Sequence, residues 1–203
     1  MRILAIDTAS DAIALAAGDA GREPVLLVRD GDRQHSVRLL SMVDELAGGS
    51  RSFDRICVVS GPGAYSGLRV GIATARGLSL ALGVPLVAVE THQAVAGATD
   101  LDGTWLAIHP AGRGEFAVRE CTASVCTGAL QSLSLEALTG RRLAGEGAGP
   151  LGGVEIDAAA RVAAAFRQAP DAPELQDAVY LRAPNITKPR GPTVGRVRQE
   201  SRQ

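Results

Sequence analysis

Aromatic side chains are scarce in this chain, with Phe, Tyr and Trp together making up 3% of 203 residues. The core must therefore be built from Leu, Val, Ile and Ala, and 24 glycines allow close backbone packing. An excess of one charge is also missing. A formal net charge of −1 excludes a protein that wraps nucleic acid by charge alone. Cysteine is sparse: Cys57, Cys121 and Cys126 are odd in number and lack Cys-x-x-Cys spacing. The expectation is buried or idle thiols in a reducing cytoplasm, with neither a disulfide framework nor a zinc site. The longest apolar segment, 68–89, is broken by Arg69, Arg76 and Pro85, so no membrane span is expected. Asp7 interrupts the first apolar run, which argues against a secretory leader. His35, His92 and His109 are scattered, with none at metal-ligand spacing.

What the chain does have is a dense glycine block. Ile56, Cys57, Val58 and Val59 form an apolar, β-branched run, and Ser60-Gly61-Pro62-Gly63-Ala64-Tyr65-Ser66-Gly67-Leu68-Arg69-Val70-Gly71 follows it. The order reads as buried strand, glycine turn and helix. A helix start presents unpaired N–H groups that can hold an anion. The standard phosphate motifs are absent all the same: there is no Gly-Lys-Ser/Thr, and Gly61-x-Gly63-x-x-x-Gly67 is one residue off the dinucleotide fingerprint. A structural turn and a phosphate site both remain open on these residues.

Taken whole, residues 61 to 78 resemble the signature of the TsaB family, the dimerisation subunits of the bacterial machinery that makes threonylcarbamoyladenosine in tRNA. Three further segments agree in kind and order. Ile3-Leu4-Ala5-Ile6-Asp7-Thr8 is similar to the family's first strand and Asp-Thr turn, and His35-Ser36 precedes Leu39-Leu40 as in its first helix. Ala178-Val179-Tyr180-Leu181-Arg182-Ala183-Pro184 resembles its closing Tyr-Leu-Arg-x-Pro. The resemblance implies an α/β, actin-like ATPase (ASKHA) fold of two lobes, each a mixed β-sheet flanked by helices.

The pattern along the chain fits. Arg2–Asp7, Ala12–Gly18 and Pro24–Arg29 read as an antiparallel meander. Ser36–Leu46 has helical period, the strand at 55–59 and a helix at 67–82 follow, and Gly83 and Pro85 stop that helix before a strand at 84–89. Thr91–Ala98 reads as a helix with Thr91 as N-cap. Thr104–His109, Glu115–Cys121 and Ser124–Cys126 read as strands of a second lobe, Leu143–Pro150 as a glycine-rich turn, and Ala158–Gln168 as an alanine-rich helix. The expected division is a first lobe at 1–100, a smaller one at 101–184, and a disordered basic tail at 185–203 with a net charge of +4.

Chemistry is thin. Asp7 ends the first strand, where actin-like ATPases keep a carboxylate that helps hold a metal–nucleotide complex. With Thr8 it marks a residual nucleotide site, or else it caps the neighbouring turn. TsaD, the family's catalytic sister, carries two metal-binding histidines whose positions here fall on Thr91 and Val95, which are no substitute. Pro110-Ala111-Gly112-Arg113-Gly114-Glu115 stands where TsaB proteins usually have Asp-Ala-Arg-x-x-Glu, so one carboxylate is lost. No metal or catalytic group is expected, and no cofactor beyond ATP or ADP on the partner complex. Gly67, Gly71 and Ala75 recur every four residues, a smooth stripe on which another helix can pack; a helix buried within the monomer is the alternative. The resemblance implies association through the first two helices, placing the interface at Ser36, Leu39, Leu40, Val43, Gly67, Leu68, Gly71, Ile72 and Ala75. It also implies the partners: TsaD in a heterodimer, the ATPase TsaE, a homodimer when alone, and tRNA only through the complex. The resulting expectation is a non-catalytic cytoplasmic scaffold. The alternatives are a small ATP-dependent phosphotransferase of the same fold or a metallopeptidase-like protein.

Overall fold

The computed structural model describes residues 1–30, 35–48 and 52–181. The expected tail at 185–203 and the end of the Tyr-Leu-Arg-x-Pro segment lie outside the described residues, as do the side chains of residues 35–37.

Strands β1 (Arg2–Asp7), β2 (Ala12–Asp19) and β3 (Val25–Asp30) form the expected antiparallel meander. β4 (Arg55–Val59) then lies parallel to β1, and β5 (Leu86–Val89) parallel to β4, giving the order β3-β2-β1-β4-β5. Parallel neighbours need crossovers, and helices α1 (His35–Ala47) and α2 (Tyr65–Leu82) make them. Alternation along the strands sorts side chains between two faces. Leu4, Ile6, Ile13 and Leu15 meet Leu39, Met42 and Val43 of α1 and Ile72 and Ala75 of α2. Ile3, Ala5, Ala14 and Ala16 point the other way, onto Val162, Ala165 and Phe166 of α5 (Ala158–Gln168). Small residues on both sides of that second contact let an alanine-rich helix lie close to the sheet.

The second sheet is built on the hairpin of β6 (Thr104–Gly112) and β7 (Glu115–Thr122), with β8 (Val125–Cys126) and β9 (Gln131–Ser134) paired to β7. β10 (Leu143–Gly145) runs parallel to β6, and β11 (Val154–Glu155) parallel to β10. Trp105 anchors one face against Val95 and Ala96 of α3 (Thr91–Ala96) and Ile156, and Leu138 of α4 (Leu135–Leu138) closes the other. The two-lobed α/β architecture is therefore as expected. After the second sheet the chain returns to the first: α5 covers β1 and β2, Pro173 and Leu175 bond to β5, and Val179 N–H reaches the Ser60 carbonyl.

Several local readings are corrected. Leu143–Gly145 is a buried strand, and Gly145 approaches the Ile108 carbonyl too closely for any side chain. Glycine there serves strand packing where a turn was expected. α2 begins at Tyr65, so Gly67 lies inside the helix. The N-cap of α3 is Glu90, leaving Thr91 as a buried first helical residue whose hydroxyl has no partner. The thiol expectation fails for two of three cysteines. Cys121 and Cys126 sit directly opposite in the β7–β8 ladder, Cα atoms 3.9 Å apart, and form a disulfide. Cys57 is the free, buried thiol, and its burial pushes its pKa up to about 12, against a small opposing effect of Arg55.

The glycine block packs against the turn that follows β1. A side chain on Gly63 would strike Ala9, one on Gly67 the Thr8 carbonyl, and one on Gly71 the Thr8 side chain. Thr8 Oγ1 donates to the Gly67 carbonyl at 2.8 Å, and Ala64 N–H donates to the Ala9 carbonyl at 2.6 Å. The Gly67-Gly71-Ala75 stripe is therefore turned inward, against the chain's own Thr8 and first sheet, and is not open to a neighbour. Gly77 is the opposite case, with open space where a side chain would be.

Two outcomes follow. Gly71→Ala should lower stability by about 1–3 kcal/mol through overpacking on Thr8, while Gly77→Ala should raise it by about 0.5–1 kcal/mol through helix propensity; urea melts of the isolated chain compare them. Thiol titration should count no reactive cysteine in the native protein, one in denaturant, and three once a reductant is added.

Candidate functional site

Between the sheets lies a cleft of about 470 Å³, lined by Ser10, Asp11, Gly63, Tyr65, His109, Glu146 and Tyr180 among others. Its wall is a charge network centred on Arg161, a side chain with no solvent exposure that rises from the first turn of α5. Arg161 Nε donates to Asp7 Oδ2 at 2.6 Å, Nη1 to Glu146 Oε2 at 2.9 Å, and Nη2 to Ser10 Oγ at 3.1 Å. Burial pulls the guanidinium pKa down, but Asp7 and Glu146 outweigh that and hold it above its ordinary value. The other Asp7 oxygen, Oδ1, accepts the Ala9 N–H at 2.8 Å. Both oxygens of the expected nucleotide-site carboxylate are thus engaged inside the protein, and the Thr8 hydroxyl is given to Gly67.

Two buried histidines flank this network. His109 Nε2 lies 3.0 Å from the Ala9 carbonyl, so that nitrogen carries the proton, and Nδ1 has no hydrogen-bond partner but lies 3.8 Å from Glu146 Oε2. Burial first, and the nearby Arg161 second, push the His109 pKa down to about 3, despite the Ala9 carbonyl. His92 Nε2 faces the Ala117 carbonyl at 3.0 Å, and burial pushes its pKa down to about 4. Both imidazoles are neutral at pH 7. Among the described residues no group of three or more His, Cys, Asp or Glu can hold a metal ion, and no described helix is long and apolar enough to cross a membrane.

The residues expected at a partner interface separate into two sets. Leu39, Val43, Gly67, Leu68, Gly71, Ile72 and Ala75 are buried in the chain's own core, while Leu40 is exposed. The Ser36 side chain lies outside the described residues. The outward side of α2 holds what the sequence reading passed over: Arg69, Ala73, Gly77, Leu80 and Ala81 are exposed, Leu80 to 86%. Ala73, Gly77 and Ala81 repeat every four residues, as the inward stripe does, so periodicity alone could not choose between them. At the start of the helix Arg69 lies over the Tyr65 ring, whose other neighbour is Tyr180 at 5.2 Å. Arg161 and Glu146 were missed as well. An arginine in an alanine-rich helix reads as a solvating charge, and the only signal of Arg161 was its place on the apolar side of that helix.

With this geometry in hand, the relatives are informative. A family model described as "TsaD: tRNA N6-adenosine threonylcarbamoyltransferase" matches residues 20–137, more than half of the chain. The tRNA threonylcarbamoyladenosine biosynthesis protein TsaB of Escherichia coli (strain K12) is 33% identical over 109 residues, covering 52% of this chain and 45% of that one. The protein of the same name from Bacillus subtilis (strain 168) is 30% identical over 120 residues, covering 57% and 52%. The chain thus spans about half the length of these curated relatives. In shape it is similar to a Pseudomonas aeruginosa protein described as having similarity to the peptidase YeaZ, with a TM-score of 0.69, 24% identity, and coverage of 89% of this chain and 99% of that chain.

The neutral histidines predict the acid response. Each folded pKa lies below the ordinary value near 6.5, so the unfolded chain binds the extra protons and stability falls as pH drops through 6.5 toward 4. Each imidazole contributes a slope of up to about 1.4 kcal/mol per pH unit in that window. Melts between pH 7.5 and 4.5 should show it, and His92→Gln should remove about half of the slope.

Proposed function

Because the chain belongs to the family whose model is described as "TsaD: tRNA N6-adenosine threonylcarbamoyltransferase" and is similar to curated TsaB proteins, we propose that it is a non-catalytic scaffold subunit of the machinery that makes threonylcarbamoyladenosine in tRNA, docking on TsaD. The observation that carries this reading is the outer surface of α2. Small residues at 73, 77 and 81 leave the helix backbone bare, and Leu80 adds exposed apolar area beside it, while Leu40 is exposed on α1. A helix from a partner can approach such a strip closely, with side chains seated over Gly77. The docking surface proposed here is the outward side of the first two helices, since the inward stripe is filled by Thr8. TsaE and tRNA would join through the TsaD complex, and a homodimer would use the same strip when TsaD is absent.

The chain's own chemistry supports a scaffold over a phosphotransferase or a peptidase. Asp7, the one carboxylate placed for nucleotide work, is paired with Arg161, and His92 and His109 hold backbone carbonyls. The Asp7 carboxylate is thus occupied, burial makes both imidazoles weak bases, and among the described residues no group of three or more His, Cys, Asp or Glu can hold a metal ion.

The test is a pair of surface variants, Gly77→Arg and Leu80→Asp, each co-expressed with TsaD from the same organism and analysed by size-exclusion chromatography. Both sites are open in the isolated chain, so circular dichroism and melting should stay near wild type. Burying an unpaired charge in the contact costs several kcal/mol (about 3–5), a loss of about a hundredfold or more in affinity. Folded variants that bind TsaD normally would overturn the proposed surface, and an unmodified chain that never associates with TsaD would overturn the scaffold itself.

A further inference from the structure

In an actin-like ATPase the carboxylate ending the first strand helps hold a metal–nucleotide complex. The residues of this chain do not fit such a complex. Asp7 is fully buried, and the Arg161 guanidinium lies against it at 2.6 Å. A divalent ion brought to that carboxylate would meet a fixed positive charge at contact distance. Arg161 does more than neutralise Asp7. Its three nitrogens reach Asp7 and Ser10 beside the first sheet and Glu146 beyond β10 of the second. One cation thus ties both lobes together, in the manner of a bridging metal.

A second observation, independent of the first, concerns the anion. Glu146 sits in a glycine loop, Gly145-Glu146-Gly147-Ala148-Gly149, that follows β10. The amides of Gly147 and Gly149 converge on one carboxylate: Gly147 N–H donates to Glu155 Oε1 at 2.8 Å, and Gly149 N–H to Glu155 Oε2 at 2.8 Å. Neighbouring amides converging on a single anion are the geometry of a phosphate cradle. Here the cradle holds a side chain of the chain itself, six to eight residues further on.

We propose that Arg161 is a built-in substitute for a metal ion, so that the chain's own charge holds the two lobes in one arrangement and no metal–nucleotide complex is needed, and that Glu155, within the second sheet, takes the place an anion would occupy on the Gly147 and Gly149 amides. This concerns how the lobes are held together, and it stands or falls separately from docking on TsaD.

The experiment removes each substitute and offers the corresponding inorganic ion. Arg161→Ala leaves Asp7 and Glu146 facing each other unpaired. Its melting temperature should fall by at least about 5 °C and recover saturably with millimolar MgCl2 or MnCl2, but not with NaCl at equal ionic strength. Glu155→Ala empties the glycine cradle at an exposed position, so this variant keeps the fold if the arginine variant does not. It should be stabilised by millimolar inorganic phosphate more than wild type is, relative to chloride at equal ionic strength. Wild type should melt at the same temperature with or without magnesium and ADP. Saturable stabilisation of wild type by magnesium–ADP would overturn the proposal. So would an Arg161→Ala variant that melts like wild type, or the absence of ion-dependent recovery in every variant that folds.

Discussion

The close contact between the turn after β1 and the glycines of α2 is the constraint on which the rest of the arrangement depends. Three small positions, Gly63, Gly67 and Gly71, allow Thr8 and Ala9 to lie directly on the helix start. That contact fixes the rotation of α2 about its axis. It turns Leu68, Ile72 and Ala75 into the core and leaves Ala73, Gly77 and Leu80 outside. The same turn places Asp7 and Ser10 where Arg161 reaches both. A glycine-rich sequence between strand and helix suggests a ligand cradle; here its function is to bring two pieces of backbone together.

Much of the first lobe was legible in the sequence because its signals are local. Alternating apolar residues mark β1 and β2, Gly83 adopts the left-handed conformation that ends α2, and, further on, α5 spans Ala158–Gln168 as its alanine-rich run implies. The family resemblance added the lobe order that periodicity alone does not supply. What was not legible depends on contacts distant in sequence. Gly71 and Gly77 are alike as letters, and only the position of Thr8 makes one internal and the other open. Arg161 is separated from Asp7 by 154 residues, so nothing near either residue announces the pair. The Cys121–Cys126 bridge escaped for a simpler reason: counting three cysteines without a ladder register hides which two are opposite. Leu143–Gly145 was taken for a turn because its glycine signals flexibility, whereas burial between β6 and β11 makes it a strand.

Polar groups inside this protein are few, and most are spoken for. A buried guanidinium with three hydrogen-bonded partners avoids the large desolvation cost that an unpaired one would carry. It sets direction as well as strength, since a planar fork donates to its acceptors only at fixed angles. His109 adds a second link across the same gap, from β6 to the Ala9 carbonyl. These directional contacts specify how the sheets face each other, while leucine, valine and alanine provide most of the cohesion.

The return of the chain to its first sheet has a consequence during synthesis. β1 and β2 leave the ribosome early, yet α5, which covers one of their faces, is made about 150 residues later. Until then Ile3, Ala14 and Ala16 have no cover, and Asp7 has no counter-ion. Neither sheet can finish as an independent N-terminal unit, because α3 and α5 pack against each other across both. Folding of this kind is dominated by contacts far apart along the chain, which slows it. The nascent first lobe therefore has an exposed apolar face until α5 has been made, the interval in which a chaperone that holds extended apolar segments has the most to protect.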